Sequence, residues 1–110
     1  MKKEKTLKER REFSFLYKRG KSLVTPVVVI YYKKSNNNIS RYGITTGKKI
    51  GNAVKRNRAR RIIRAAFEEI APELKGSYNF VFVARGKTPY VKSCDVKKAI
   101  KRQFKENNLI

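Results

Sequence analysis

The stretch KKIGNAVKRNRARRIIRAAF, Lys48–Phe67, contains eight lysine and arginine residues and no acidic residue. From Asn52 onward its apolar residues recur at the spacing of one helix face, and Pro72 indicates that the helix ends near Ile70. The apolar stripe consists of Ala59, Ile62, Ile63, Ala66, Phe67 and Ile70. The sequence therefore predicts a helix that packs on a sheet through this stripe and presents a basic surface to solvent.

The predicted helix carries its charges in an order that an isolated helix disfavours. Lys55 and Arg56 open it and Glu68 and Glu69 close it, the reverse of the order that the helix dipole favours. Arginines also repeat at i, i+4 from Arg56 to Arg64, and each such like-charge pair destabilises a helix by about 0.2–0.5 kcal/mol. A merely solvated face explains neither feature. An anionic partner would relieve the repulsion, and arginine favours bidentate contacts to phosphate.

The composition of the whole chain points to the same kind of partner. Its 110 residues include 29 Lys+Arg and 8 Asp+Glu, a formal net charge of +21, and their number suits one domain, residues 1–110. A small domain this basic repels itself when alone, and nucleic acid is the commonest polyanion that would bind it. We expect no association with membranes, because the sequence contains no apolar run long enough to cross a bilayer. The single cysteine, Cys94, and the lack of an apolar segment behind the first charges favour a cytoplasmic location.

The composition also argues against catalysis by protein side chains. The chain has no histidine, which removes the commonest acid–base group and a common metal ligand. Its acidic residues lie on or beside predicted helices, apart from Glu4, and are not paired on strands or loops as a two-metal site requires. We therefore predict no catalytic residue and no metal ligand in the protein. A protein nuclease that works without a partner is disfavoured for the same reason.

The remaining pattern predicts an α+β fold of a single sheet with helices packed against it. The predicted elements follow the order α-β-β-β-α-β-α: a helix from about Leu7 to Arg19, strands at 21–25, 27–33 and 41–46, the basic helix, a strand at 78–84 and a helix at 93–107. Thr6-Leu7-Lys8-Glu9 has the spacing of a capping box for the first helix. The strand at 78–84 is apolar on both faces, so we expect it to lie in the middle of the sheet.

The basic stretch closely resembles the "RNR" signature of the bacterial ribonuclease P protein subunit. The resemblance is carried by Gly51-Asn52-Ala53-Val54, by Arg56-Asn57-Arg58 and by Arg60-Arg61-Ile62-Ile63-Arg64. It extends over nearly the whole chain, since similar flanking features occur at Phe13, Tyr17, Gly20, Ser22, Val29-Ile30-Tyr31, Lys48-Lys49-Ile50 and Val83-Ala84-Arg85. The family resemblance implies a four-stranded sheet with a left-handed βαβ crossover.

The resemblance also implies a function. Proteins of this family are the small partners of a catalytic RNA that uses Mg²⁺, bound chiefly by the RNA, to remove the 5′ leader from precursor tRNA. By analogy, a monomeric protein would form a 1:1 complex with the catalytic RNA and contact it through Lys49, Asn52, Lys55, Arg56, Asn57, Arg58, Arg60, Arg61 and Arg64. The single-stranded leader would bind in a cleft lined or edged by Phe13, Tyr17, Ser22, Tyr31 and Lys48.

The residues alone leave several alternatives open. Phe13, Tyr17 and Tyr31 could form a platform for single-stranded RNA or be part of the core. A small ribosomal RNA-binding structural protein would fit the charge and size equally well, although it would not need the aromatic cleft. Phe15 lies on the other side of the first helix, where the family usually has polar residues, and its role is open. For Cys94 we expect a buried or inert thiol rather than a reactive one.

Overall fold

The computed structural model describes residues 5–6, 10–36 and 38–110. In this part of the chain the helices are α1 (Arg10–Arg19), α2 (Ala53–Ile70) and α3 (Ser93–Glu106). The strands are β1 (Lys5–Thr6), β2 (Lys21–Val24), β3 (Val28–Lys34), β4 (Arg41–Thr45) and β5 (Tyr78–Ala84). Short 3₁₀ turns occupy Lys48–Ile50, Ala71–Glu73 and Thr88–Tyr90. The predicted α+β class and order of elements are confirmed.

One mixed sheet joins the strands in the order β1-β4-β5-β3-β2. The apolar strand β5 lies in the middle, as predicted, parallel to β4 and antiparallel to β3. Because β4 and β5 are parallel neighbours, α2 forms the crossover of a βαβ unit. The two-residue strand β1 pairs with β4 and is an addition to the four strands that were predicted. The predicted helix start near Leu7 and most of its capping box fall on residues 7–9, outside the described residues.

The main core lies between one face of the sheet and helices α2 and α3. Phe67 of α2 is fully buried, and its ring centroid lies 5.2 Å from that of Phe80 and 4.9 Å from that of Phe82. Phe104 of α3 stacks on Phe80 from the other side, with centroids 5.2 Å apart. The apolar stripe predicted for α2 is therefore the surface by which the helix packs on the sheet. This packing turns the opposite side of α2 toward solvent.

Helix α1 packs on the other face of the sheet and covers only part of it. Leu16 of α1 is buried against Val81 of β5, and Phe13, Tyr31 and Val83 surround this pair. Successive residues of a strand point to opposite faces, so Tyr31 faces α1 whereas its neighbour Tyr32 faces the main core. The sheet thus has a densely covered face and a face with open space beside α1.

A buried threonine joins the loop after β5 to the turn between β2 and β3. The hydroxyl of Thr88 donates to the carbonyl oxygen of Val27 at 2.6 Å and accepts from the backbone N–H of Arg85 at 2.8 Å. The guanidinium of Arg85 also donates to the carbonyl oxygen of Thr25 at 3.0 Å. The two loops are therefore held together by hydrogen bonds around a hydroxyl that is shielded from water.

Thr88→Val should destabilise the protein by about 1–3 kcal/mol, because it keeps the shape of the side chain but leaves a carbonyl and an N–H without a partner. Urea unfolding followed by circular dichroism measures the change. Thr45→Val, at a half-buried strand position, is the matched control and should change the free energy of unfolding by less than about 0.5 kcal/mol. Equal effects of the two substitutions would contradict the assignment.

Candidate nucleic-acid interface

Helix α2 begins with a defined cap that fixes the first turn of the basic stretch. The side-chain oxygen of Asn52 accepts a hydrogen bond from the backbone N–H of Lys55 at 3.0 Å. Gly51, just before it, has φ of 135°, which side chains other than glycine rarely adopt. Asn52 therefore fixes the orientation of the helix start. Its side chain is also exposed, as expected for a residue that is predicted to contact RNA.

The exposed side of α2 forms a basic helix surface. We define this surface by the residues Lys55, Arg56, Asn57, Arg58, Arg60, Arg61 and Arg64. Arg61 and Arg64 are exposed, as expected for positions opposite the buried stripe, and so are Asn57 and Arg58. Arg56 and Arg60 are half-buried. The structure brings these predicted residues together on a single element whose orientation is set by the core.

Arg60 differs from its neighbours because its guanidinium already forms hydrogen bonds within the protein. It donates to the hydroxyl of Thr46 at 2.9 Å and to the side-chain oxygen of Asn57 at 3.4 Å. The contact with Thr46 links α2 to the segment that follows β4. Arg60 consequently combines a structural contact with its place on the basic surface, which the sequence did not reveal.

The acidic residues near the end of α2 do not neutralise the basic surface. Glu69 pairs with Lys97 of α3 at 3.2 Å, and Glu73 pairs with Lys101 at 3.4 Å. Among the residues that the structure describes, no carboxylate lies within 4.0 Å of the cationic group of any lysine or arginine from Lys48 to Arg64. The repulsion inferred from the sequence therefore persists in the folded protein, and an anion from outside can relieve it.

Two exposed side chains beside the start of α2 were not predicted from the sequence to belong to the interface. The ammonium group of Lys55 lies 5.4 Å from the centroid of the Tyr90 ring, in cation–π geometry. Tyr90 belongs to the 3₁₀ turn after β5, and Val54 on the first turn of α2 is exposed as well. The contact joins residues 35 positions apart, so no local pattern could have indicated it.

An aromatic cleft opens on the face of the sheet that α1 leaves partly uncovered. The rings of Tyr17 and Tyr31 meet edge to face with centroids 4.9 Å apart. Phe13 lies one turn before Tyr17 and packs against the cluster of Leu16 and Val81. Ser22 of β2 lies directly beside Tyr31 and is exposed. The structure thus brings together four of the five residues expected at the cleft.

The aromatic residues of this cleft are neither fully buried nor fully exposed to solvent. Tyr17 is 41% exposed, whereas Phe13 and Tyr31 are half-buried. The alternative of ordinary core residues is therefore wrong for Tyr17 and only partly right for the other two. A ring anchored at one edge and open at the other can stack on an unpaired base without reorganising the protein.

Apolar strand residues complete the floor of the aromatic cleft. Val29 pairs in register with Val83 on one side and with Val24 on the other, and Val24 is 63% exposed. Strand alternation could have identified this row, because Val29 lies two residues before Tyr31 and therefore on the same face. Lys48 and Lys49, the remaining predicted residues, are exposed in the 3₁₀ turn three residues after β4.

Phe15 and Cys94, whose roles the sequence left open, are both outside the aromatic cleft. Phe15 is 51% exposed and, with Arg11, Glu12 and Asn79, lines a separate hollow of about 390 Å³ on another side of α1. Cys94 is exposed on the first turn of α3, so its thiol is not buried, and the alternative of an exposed but inert thiol stays a prediction.

Neither a cluster of metal-ligating side chains nor a membrane-spanning helix is found in the described part of the chain. No group of three or more Cys, Asp or Glu side chains there lies close enough together to hold a metal ion. None of the helices described is both long and apolar enough to span a membrane.

Comparison with known proteins assigns this arrangement to a family. The family model "Ribonuclease P" matches residues 1–108. This chain belongs to the ribonuclease P protein family. It is similar to the ribonuclease P protein component of Oceanobacillus iheyensis, with 36% identity over 100% of this chain and 92% of the relative. It is 38% identical to that of Clostridioides difficile over 96% of this chain and 93% of the relative.

Solved structures of ribonuclease P proteins share the fold. The Staphylococcus aureus protein superposes with a TM-score of 0.83 and 25% identity, covering 97% of this chain and 98% of that one. The Thermotoga maritima protein gives a TM-score of 0.80 and 28% identity, covering 94% and 97%. The family resemblance inferred from the basic stretch is therefore confirmed, and the alternative of a small ribosomal structural protein is not favoured.

Proposed function

We propose that this protein is the RNA-binding subunit of a ribonuclease P that removes the 5′ leader of precursor tRNA. The observation that carries the proposal is the basic helix surface, which retains its cations without carboxylate partners in the described residues. Together with membership of the family, this surface supports the proposal that the helix binds the catalytic RNA. The protein then supplies binding and orientation, and the RNA supplies the hydrolytic chemistry.

The basic helix surface suits a folded RNA because its cations are spaced along one rigid element. Successive turns of an α-helix place arginines about 5.4 Å apart along one face, so several of them can contact phosphates of the same RNA. Arginine forms bidentate contacts with phosphate oxygens, and each neutralised phosphate releases counterions. We therefore assign catalytic-RNA binding to Arg61 and Arg64 at the centre and to Lys49, Asn52 and Lys55 at one end.

The aromatic cleft suits a single strand rather than a duplex. Tyr17 and Tyr31 offer ring edges and faces beside an apolar floor, where an unpaired base can stack. Ser22 adds a hydroxyl, and Lys48, in the exposed turn after β4, adds positive charge for the strand's phosphates. We assign the 5′ leader of precursor tRNA to this cleft.

We assign Mg²⁺ chiefly to the RNA, as the family resemblance implies. When bound, the ion would activate a water molecule for attack on the scissile phosphate. We further propose that the protein is monomeric, binds one catalytic RNA and acts in the cytoplasm. The exposed single thiol of Cys94 fits a reducing compartment.

Incubation of nuclease-free protein with precursor tRNA tests the division of labour. Protein alone should leave the substrate intact, and addition of the cognate catalytic RNA should give 5′ cleavage at low Mg²⁺. Robust cleavage by protein alone would refute the proposal. The same assay with a ribosomal RNA fragment in place of the catalytic RNA should give no cleavage.

Tyr31→Ala should weaken capture of precursor tRNA that carries a leader by about 1–3 kcal/mol, because a stacking surface for a base is lost. Affinity for mature tRNA without a leader should stay the same. Tyr31→Phe keeps the ring and should retain most of the affinity, and Phe15→Ala removes an exposed ring outside the cleft as a matched control. If Tyr31→Ala lowers only thermal stability, the residue has a purely structural role.

A further inference from the structure

A basic cavity lies at one end of the sheet, beside the first residue of β2 (Lys21), the last residue of β3 (Lys34) and the first residue of β5 (Tyr78). It has a volume of about 320 Å³ and is lined by the cations Arg19, Lys21, Lys33 and Lys34 and by the rings of Tyr32 and Tyr78. We call it the tyrosine–lysine pocket. Its size falls in the range of small-molecule sites in proteins.

The strand register explains why these side chains converge. Lys21 of β2 is the direct partner of Tyr32 of β3, and Lys34 of β3 is the direct partner of Tyr78 of β5. Direct partners project from the same face, and Lys34 lies two residues after Tyr32, so all four side chains share one face. The two lysines therefore flank a tyrosine floor at the end of the sheet.

The pocket lies apart from the capped start of α2, and its tyrosines face away from the aromatic cleft. Tyr31 turns toward the aromatic cleft, and Tyr32 turns toward the tyrosine–lysine pocket on the opposite face. Helix α2 starts beyond the end of β4 and finishes before the start of β5, where Tyr78 lies. The pocket is thus near the end of α2 that is farthest from Asn52, roughly 27 Å along an 18-residue helix.

Backbone hydrogen bonds within the protein hold the walls of the pocket in place. The chain turns back after α3, and the backbone N–H of Leu109 donates to the carbonyl oxygen of Phe104 at 2.8 Å. The carbonyl oxygen of Leu109 accepts from the N–H of Lys75 at 2.8 Å, and Leu109 itself is buried. Asn107, on the same returning segment, also lines the pocket. The cavity is therefore part of the packed structure.

The charges of the pocket are not balanced within the described chain. No carboxylate of the described residues lies within 4.0 Å of the cationic group of Arg19, Lys21, Lys33 or Lys34. All four cations are exposed; Lys21 and Lys34 project from the same face as the tyrosines, whereas Lys33 projects from the other face and Arg19 belongs to α1. Cations at the rim of an aromatic floor match a ligand that combines an anion with a flat ring.

The tyrosines add hydrogen-bond donors to this arrangement. The ring centroids of Tyr32 and Tyr78 are 6.1 Å apart, with planes at 73°. Burial raises the pKa of the Tyr32 hydroxyl, and the neighbouring Tyr78 raises it further, so Tyr32 keeps its proton at neutral pH. A protonated phenol can donate to a phosphate oxygen.

We propose that the tyrosine–lysine pocket binds the phosphate group of a nucleotide, within an RNA strand or free. The lysines and Arg19 hold the phosphate, and the tyrosine rings contact the sugar or base. This site is additional to the two RNA surfaces of the proposed function and does not depend on them.

Titration of the ¹⁵N-labelled full chain with adenosine monophosphate, at a chloride concentration high enough for screening to keep the protein folded, tests the proposal. The backbone amide signals of Tyr32, Tyr78 and Asn107 should shift, and adenosine without a phosphate should shift them far less. Lys21→Ala/Lys34→Ala should weaken binding at least tenfold. The control Lys98→Ala/Lys105→Ala removes the same charge from exposed positions of α3 and should leave the affinity within twofold.

Single-lysine variants keep the result unambiguous. Each single lysine variant should weaken binding at least threefold, which provides the readout if the double variant does not fold. Equal losses in the pocket and control variants, or shifts confined to α2, would overturn the proposal. Because this titration uses no catalytic RNA, its outcome is independent of the cleavage assay above.

A short oligonucleotide distinguishes the two sources of phosphate. If an RNA strand is the ligand, the oligonucleotide should shift the same amides at lower concentration than adenosine monophosphate, and catalytic RNA should protect Lys21 and Lys34 from acetylation. If a free nucleotide is the ligand, adenosine monophosphate should bind more tightly and both lysines should remain reactive in the complex. Either pattern supports the pocket, and no shift with any of these ligands refutes it.

Discussion

Replacing Arg61 and Arg64 with alanine should weaken binding to the catalytic RNA by about a hundredfold. Both side chains are exposed on the side of α2 opposite the buried stripe, so their loss should not disturb the core. A hydrogen bond to a charged group contributes about 1.5–3 kcal/mol to binding. Because about 1.4 kcal/mol corresponds to a tenfold change in affinity, the loss of each arginine should weaken binding about tenfold. The affinity should be measured by filter binding at several salt concentrations.

The salt dependence of the affinity distinguishes direct contacts to phosphates from attraction by the net charge of the protein. Each phosphate contact that is lost should lower the slope of log K against log salt by about 0.7–0.9. Lys98→Ala/Lys105→Ala removes the same net charge from α3 and should leave the slope nearly unchanged. A similar loss in both double variants would show that net charge alone drives binding. Thermal unfolding of the arginine variant should occur at the same temperature as in the parent protein or slightly above it, because like-charge repulsion on α2 is removed.

The free protein should be partly unfolded in dilute chloride buffer and should fold when sulfate or phosphate is added. The net charge is +21, and the basic surface of α2 has no carboxylate partner among the described residues. A small domain has only a few kcal/mol of net stability. An anion that binds only the folded state stabilises it by about 2.7 kcal/mol at a hundredfold excess over its Kd, which is comparable with the whole margin.

Circular dichroism during a sulfate titration tests this coupling of folding to anion binding. A chloride titration at matched ionic strength is the control, since general screening depends on ionic strength and not on the anion's identity. Helix content should rise at sulfate concentrations where chloride has little effect. Identical curves would show that screening suffices, and a fully helical spectrum without added anion would show that the core alone stabilises the fold.

The basic surface of α2 could be predicted from the sequence because it depends on local periodicity. Residues three or four apart share a helix face whatever the rest of the chain does, so the buried stripe from Ala59 to Ile70 also located Arg61 and Arg64. The central position of β5 followed for a similar reason, since only a strand covered on both faces needs two apolar sides. Charge, periodicity and strand composition are properties of short segments.

The cleft and the pocket required the tertiary structure because they depend on strand order and register. Tyr17 and Tyr31 meet only because α1 packs across β3 and β5, and the sequence left their role open between core and cleft. Sequence alone determined the class of fold and predicted an anionic partner. Only the packed sheet decided that neighbouring tyrosines, Tyr31 and Tyr32, face different sites, because a shift of one residue in register would exchange the two faces.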